Sequence, residues 1–287
     1  MTSQSPRRMR PLNVGDVVSA GISLLKTNFK TYMGLSLKAA LWYLVPVYGW
    51  ARGLMIFAQI GRLGFQEIVH EPETVPASLR QVEPRMWSFL GVALLVGLIQ
   101  FAVNYGISAV AGVLILPLTA LGAAGAAAAA LSGLLVVIIQ LLLFTAQTWF
   151  QARFWLFDMI IAMETEADAT SSISRSWELT NGTAMRVLCV LLVAYLVMSP
   201  LFVLAFVPFL FTIPFWTGFD SELGFNPALG LALLLAFLAF MVLFFLAVVL
   251  SAPFFQSIKA VLYYDLRSRR EGLDIRFRDR LGDQSNP

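Results

Sequence analysis

An all-α fold, a polytopic bundle of transmembrane helices, is predicted by three features of this 287-residue chain. Residues of the AVILMFWYC set reach 59% and charged residues only 13%, against roughly 45–50% and ~25% in average soluble domains. Three long stretches, 86–152, 187–219 and 223–258, contain no Asp, Glu, Lys or Arg. The Lys and Arg residues fall on one side of the spans that these stretches imply. A disordered chain is excluded, and too little polar surface remains to coat a soluble core of this size.

The elements follow in order. Apolar side chains at Val14, Val17, Val18, Ile22, Leu25, Phe29 and Tyr32 recur near a 3.6 period, with Asp16, Ser19, Ser23, Lys26 and Lys30 opposite and Asn13 placed as N-cap. Residues 14–32 are therefore expected as one amphipathic helix, lying in the membrane interface or packed on the protein's own inner face. The region 33–69 is interrupted by Lys38, Pro46, Gly49, Arg52 and Arg62. As a helix, 33–45 reaches about 20 Å, short of a ~30 Å hydrocarbon core. Either two short spans meet at 46–52, or the region is a re-entrant or interfacial hairpin. Both return the chain to its starting side.

The first charge-free run holds two spans, near 86–114 and 131–152, joined through 116–130. A third span lies near 187–207, with Pro200, Pro208 and Pro214 marking a kinked or irregular outer end. A fourth lies near 228–249, with Pro253 beyond it. The expected architecture is about six membrane segments in three hairpins, with amphipathic helices on the inner face. The domain reading is a polar N-terminus and interfacial helix (1–32), one membrane domain (33–266) and a charged tail (267–287). Basic residues precede the first hairpin, fill the loops 62–85 and 153–186, and follow the last span, so both termini are expected in the cytoplasm. The polar N-terminus reads as retained rather than as a cleaved secretory signal.

A weak internal repeat aligns 71–80 (EPETVPASLR) with 166–175 (EADATSSISR), each followed by an Arg just before a span, Arg85 and Arg186. The second copy opens a predicted surface helix, with Asp168 as N-cap and Asn181–Gly182 as its end. Ile173 and Trp177 share a face of it, and Arg175 and Glu178 are spaced to pair. After the last span, Arg267, Arg269 and Arg270 occupy a last helical turn before Gly272, with Asp265 and Glu271 among them. Arg175, Trp177, Glu178, Asp265, Arg267, Arg270 and Glu271 are thus the candidate inner-face interaction residues, a docking surface on one reading and the seals and caps of helix ends on the other. At least one of the middle-loop acids Glu164, Glu166, Asp168 and Glu178 is expected within ~4 Å of an Arg of the first loop (Arg62, Arg80, Arg85) or of the tail 267–280.

The chain carries no Walker loop, GxSxG or HExxH motif, and no clustered carboxylate pair lies within its apolar runs. Its one histidine, His70, stands beside Glu71 and Glu73 and reads as a solvated loop rather than a metal site. Cys189 is single and reads as a small apolar residue. No enzymatic activity, cofactor or metal is expected. Membrane lipids are the expected partners, with a membrane protein or a second copy possible beside them, and no nucleic acid. The functional expectation is a scaffold, assembly factor or lipid-interacting accessory of a bacterial plasma membrane or an equivalent internal membrane. The alternative, a small-solute or lipid transporter or channel, would need a midplane cavity lined by groups such as Lys38, Gln100, Asn104 or Gln140.

Three segments carry a family resemblance: the entry PLNVGDVVSAGISLLKTNFK, the middle loop SISRSWELTNGTAMRVL and the exit VLYYDLRSRREGLDIRF. With six apolar segments, the chain resembles the bacterial six-helix family named for the glycerophosphoryl diester phosphodiesterase membrane domain, and its uncharacterised relatives. The resemblance is most specific at Tyr263–Arg267 and Arg175–Gly182. It implies the membrane domain without the phosphodiesterase barrel, which needs about 250 residues where only a short tail follows the last helix. It names no catalytic residues.

Overall fold

The computed structural model describes residues 12–213 and 227–271. Helix α1 (Val14–Thr27) starts as expected at Asn13, whose amide donates to Asp16 Oδ2 at 3.0 Å. It does not continue to Tyr32. The chain breaks at Asn28, whose side-chain amide donates to Glu67, and α2 (Phe29–Trp42) begins there. Val17, Val18, Gly21 and Leu24 are buried against later helices, so the apolar face packs on the protein itself. The contact is close: a Cβ on Gly21 would lie 2.7 Å from Ile258 Cγ1 and 3.1 Å from Ile258 Cα.

Helices α2 and α3 (Tyr48–Ile68) form a hairpin. Its turn leaves no room for a side chain at Gly49, where a Cβ would sit 1.9 Å from the Trp42 carbonyl oxygen. Helix α4 (Val75–Val82), a 3₁₀ turn at Glu83–Arg85 and the start of α5 (Met86–Gly122) then run back along α3, from base to tip. Four contacts mark the path: Arg62 with Glu73 (2.6 Å), Gln59 with Ser78 (2.9 Å), Arg52 with Glu83 (2.7 Å), and the rings of Tyr48 and Trp87 (6.5 Å). Exposed Arg80, Gln81 and Glu83 line the outer side of this polar strip. A hairpin flanked over its whole length by such a strip fits the interfacial of the two readings of 33–69, since hydrocarbon would leave those groups unsolvated.

Four described helices are long and apolar enough to cross a membrane. They are α5, α6 (Ala126–Phe154), α9 (Ala184–Leu210) and α10 (Pro227–Glu271). Between α6 and α9 lie two short helices, α7 (Phe157–Met163) and α8 (Ala169–Thr180). The connection expected over 116–130 is a turn of three residues, 123–125. Helix α5 runs through Pro117 to Gly122, and the Ala-rich stretch winds directly into α6. Helix α9 likewise continues through Pro200 and Pro208, while Pro214 lies outside the described residues. The domain boundaries at 32/33 and 266/267 fall inside α2 and α10, so neither coincides with a helix end.

At 1.5 Å per residue, the 45 residues of α10 extend about 67 Å, more than twice a ~30 Å hydrocarbon core. Its residues from Ser251 to Leu266 are buried almost throughout, at the end of the molecule where α1, α3, α7 and α8 gather. This end is called the base. Two adjoining cores fill it, one around Ile160, Leu191, Phe254, Ile258 and Tyr263, the other around Met55, Ile56, Phe89 and Ile161. Away from the base the hairpins are thin. Beyond Val96 no α5 residue is buried, and in α6 none between Ser132 and Thr148. The outer halves of α9 and α10 are stitched by rings, Phe206 and Phe209 each against Phe240 at 5.0 and 5.6 Å.

Candidate functional site

The polar chemistry of the described residues concentrates in the base. Helix α7 presents Asp158, whose Oδ2 accepts from Lys259 Nζ at 2.6 Å and Gln256 Nε2 at 2.8 Å, while Oδ1 accepts from the Met159 amide at 3.0 Å. All three side chains are buried. Lys259 also sits 5.9 and 5.8 Å from the ring centroids of Trp155 and Phe157, so its charge is met by a carboxylate and two aromatic rings. This ion pair ties the middle of the chain to α10.

Two arginines tie the first hairpin to α7 through main-chain oxygens. Arg62 grips Glu73 with two nitrogens, at 2.9 and 2.6 Å, and donates to the Ala162 carbonyl at 2.7 Å. Arg85 donates to the carbonyls of Glu164 (2.7 Å) and Ile161. Such bonds satisfy carbonyls that a helix end leaves without partners. At the start of α9, Arg186 pairs with buried Asp265 at 2.5 Å and donates to the Leu12 carbonyl, which joins the N-terminal entry, α9 and α10.

Helix α8 begins as the sequence indicates. Ser171 donates to Asp168 Oδ1 from both its hydroxyl (2.6 Å) and its amide (2.7 Å). These bonds hold the Asp168 carboxyl below the usual carboxylate range. In the ungapped repeat alignment Thr74, the cap of α4, falls opposite Ala169, one residue from Asp168, so the two caps are out of step by one.

The candidate inner-face residues lie near one another but in different roles. Arg175 pairs with Glu164 (3.5 Å) and, as the spacing indicated, with Glu178 (3.6 Å). Glu164 also accepts from the Tyr263 hydroxyl at 3.0 Å, and Arg267 reaches that hydroxyl at 3.3 Å. Asp265 holds Arg186 and Arg269. Trp177 is partly exposed and stacks under Arg153, whose guanidinium carbon lies 4.1 Å from its ring centroid. Arg270 donates to the Asn181 carbonyl. Glu271 closes α10, and its side chain lies outside the described residues, as does Gly272.

Among the described residues, the ion pairs of Glu164 and Glu178 stay within their own loop, and none of the expected middle-loop acids pairs with Arg62, Arg80, Arg85, Arg267, Arg269 or Arg270. The remaining tail arginines of that expectation, Arg276, Arg278 and Arg280, lie outside the described residues. The long links are made instead by arginines on carbonyls and by Asp158–Lys259 and Arg186–Asp265. The physical reason is that the last carbonyls of a helix lack intrahelical partners, carry the negative end of its dipole and are already fixed in place, so they accept from a guanidinium without ordering another side chain. The residues considered for a solute pathway do not converge: Lys38, Asn104 and Gln140 are exposed and Gln100 is half-buried.

No family model, no curated protein and no solved structure matches this chain.

Proposed function

We propose that this protein is a non-enzymatic polytopic membrane protein acting as a scaffold, assembly factor or lipid-interacting accessory, with the base as its contact surface. The observation that carries the reading is the distribution of packing. Buried core and ion pairs concentrate in the base, whereas the outer lengths of α5 and α6 bury almost nothing and the pathway candidates face outward. A rigid platform on slender membrane hairpins suits presentation of a surface better than passage of a solute. The one-sided Lys and Arg distribution supports a cytoplasmic base and cytoplasmic termini. The resemblance to the six-helix membrane-domain family supports a bacterial plasma membrane, or an equivalent internal membrane, as its location.

Site-specific photo-crosslinking in cells tests the proposal. Crosslinkers at exposed Thr170 and Glu178 on α8 should trap discrete protein adducts, and one at exposed Ala124, in the α5–α6 turn, should not. The reading fails if α8 yields no protein adduct, or if the turn yields the same ones.

A further inference from the structure

Like Arg85, which is held by main-chain carbonyls, Arg153 and Arg270 of the base have no acid partner among the described residues. Arg153 stands in the last turn of α6 and Arg270 in the last turn of α10. Both reach the end of α8. Arg153 Nη1 donates to Thr180 Oγ1 at 3.3 Å and the Trp177 carbonyl at 3.5 Å, and Arg270 Nη2 donates to the Asn181 carbonyl. Arg153 is 7% exposed, and its buried Nε has no hydrogen-bond partner. Its two contacts are long beside the ~2.7–2.9 Å of a charge-assisted bond. The rings of Trp177 (4.1 Å) and Trp149 (5.3 Å) and the carbonyl end of α8 compensate the cation in part. A buried guanidinium normally has a counter-anion, and here a second cation converges on the same turn instead. Trp177 and Phe154 also wall a mostly apolar groove of about 610 Å³ together with Leu95, Leu98, Ile99 and Ile173, and the polar Thr170, Ser174 and Glu178 of α8 line it as well.

We propose that Arg153 and Arg270 form a phosphate-binding site at the α8–α9 turn, and that its ligand is a phospholipid whose acyl chain lies in the groove between α5 and α8. The phosphate supplies the missing anion: Arg270 is exposed and can meet it directly, and the guanidinium of Arg153, whose Nε is unpartnered, stands behind on the same turn. The groove continues the apolar surface of α5, so a lipid reaches the site without leaving the bilayer. Basic sites at the ends of membrane helices bind lipid headgroups in this way. The inference rests on the base lying at a membrane surface, and it does not require a protein partner.

The test uses the full-length protein, purified in non-ionic detergent and delipidated, with binding read by native mass spectrometry and by the rise in Tm. The probes are dioleoylphosphatidylglycerol, dioleoylglycerol and inorganic phosphate. Phosphatidylglycerol should bind saturably at one copy per chain, and dioleoylglycerol should bind about tenfold more weakly, as loss of a charged contact predicts. Arg153→Gln should weaken phosphatidylglycerol about tenfold and Arg270→Gln about threefold, with Arg80→Gln on α4 unchanged. Should Arg153→Gln fail to fold, exposed Arg270 and the groove-filling Leu98→Trp carry the test. Undiminished phosphatidylglycerol binding in both of those variants overturns the site. Inorganic phosphate stabilising as strongly as the lipid, with Leu98→Trp silent, overturns the lipid assignment in favour of free phosphate. None of these outcomes depends on α8 crosslinking, so the two proposals fail separately.

Discussion

Asp158 and Lys259 meet at 2.6 Å with side chains about nine-tenths covered, and breaking one half of such a pair is costlier than removing both. Asp158→Leu leaves an ammonium buried without its carboxylate and should cost about 3–5 kcal/mol, as should Lys259→Met, whereas the double variant should recover most of the loss. Unfolding in detergent, arranged as a double-mutant cycle, measures the coupling, and strictly additive losses would show that the pair is not coupled. Gly21 gives a second residue-scale outcome. The Cβ of Gly21→Ala meets Ile258 backbone, which cannot rotate away, so a loss of about 1–3 kcal/mol is expected. Gly15→Ala meets nothing within 4 Å and should be neutral or gain up to about 1 kcal/mol from helix propensity. Residue-level legibility follows sequence separation. The Asn13 and Asp168 caps and the Arg175–Glu178 pair were readable because their partners lie three residues away. Asp158 and Lys259 were visible as charges beside long apolar runs, yet nothing local says that they meet.

Among the elements, α1 contributes Val17, Val18 and Leu24 to the same core as Ile258, Leu262 and Tyr263. Deleting residues 14–27 should therefore leave membrane insertion intact while opening the base. The expected result is a membrane-fraction yield near normal with a broadened or aggregated profile in size-exclusion chromatography. A sharp profile would show α1 to be dispensable. Helix α8 has its own pH dependence. Asp168 is depressed in the folded state, so the contribution of its cap is present above the unfolded carboxyl pKa and is lost as pH falls through the lower folded value. Asp168→Asn should flatten the acid limb of stability in that window, as followed by Tm against pH. The four spans were legible because a charge-free run longer than about 20 residues has few other homes. The break at Asn28 was not, since the apolar period runs straight through it and the bend coincides with a contact to Glu67, far along the chain. The connection expected over 116–130 was placed correctly but drawn too long, because Ala-rich sequence is as suited to helix as to a small-residue connection.

For the whole molecule, the predicted orientation becomes a labelling pattern. In a background with Cys189 replaced by Ala, cysteines at exposed Ser23 and Ser171 should react from the cytoplasmic side and one at Ala124 from the opposite side. A cysteine at Trp50, beside the α2–α3 turn, should react from the cytoplasmic side as well. Reaction there only from outside would make the first hairpin a pair of spans and refute its interfacial placement. The all-helical bundle was legible from composition together with the long charge-free runs, but the relative weight of its two ends was not. Charge counts locate spans without revealing that α10 is long enough to project beyond the bilayer and serve as the base's central column.

That column is also the last described helix to be made. Gly21 packs on Ile258, and Arg186 waits for Asp265, so the base joins segments from opposite ends of the sequence. Translation at roughly 5–20 residues per second delivers α1 to α9 before their principal partner exists. Until then the apolar face of α1 lacks Ile258, Leu262 and Tyr263, and the carboxylate of Asp158 lacks Gln256 and Lys259. The protein must pass through an interval, seconds long, in which its hairpins are inserted and its base stands open. During that interval a chaperone or a membrane surface can hold α1, and a ribosome stalled before residue 251 would leave a species that is threaded through the bilayer yet has no platform.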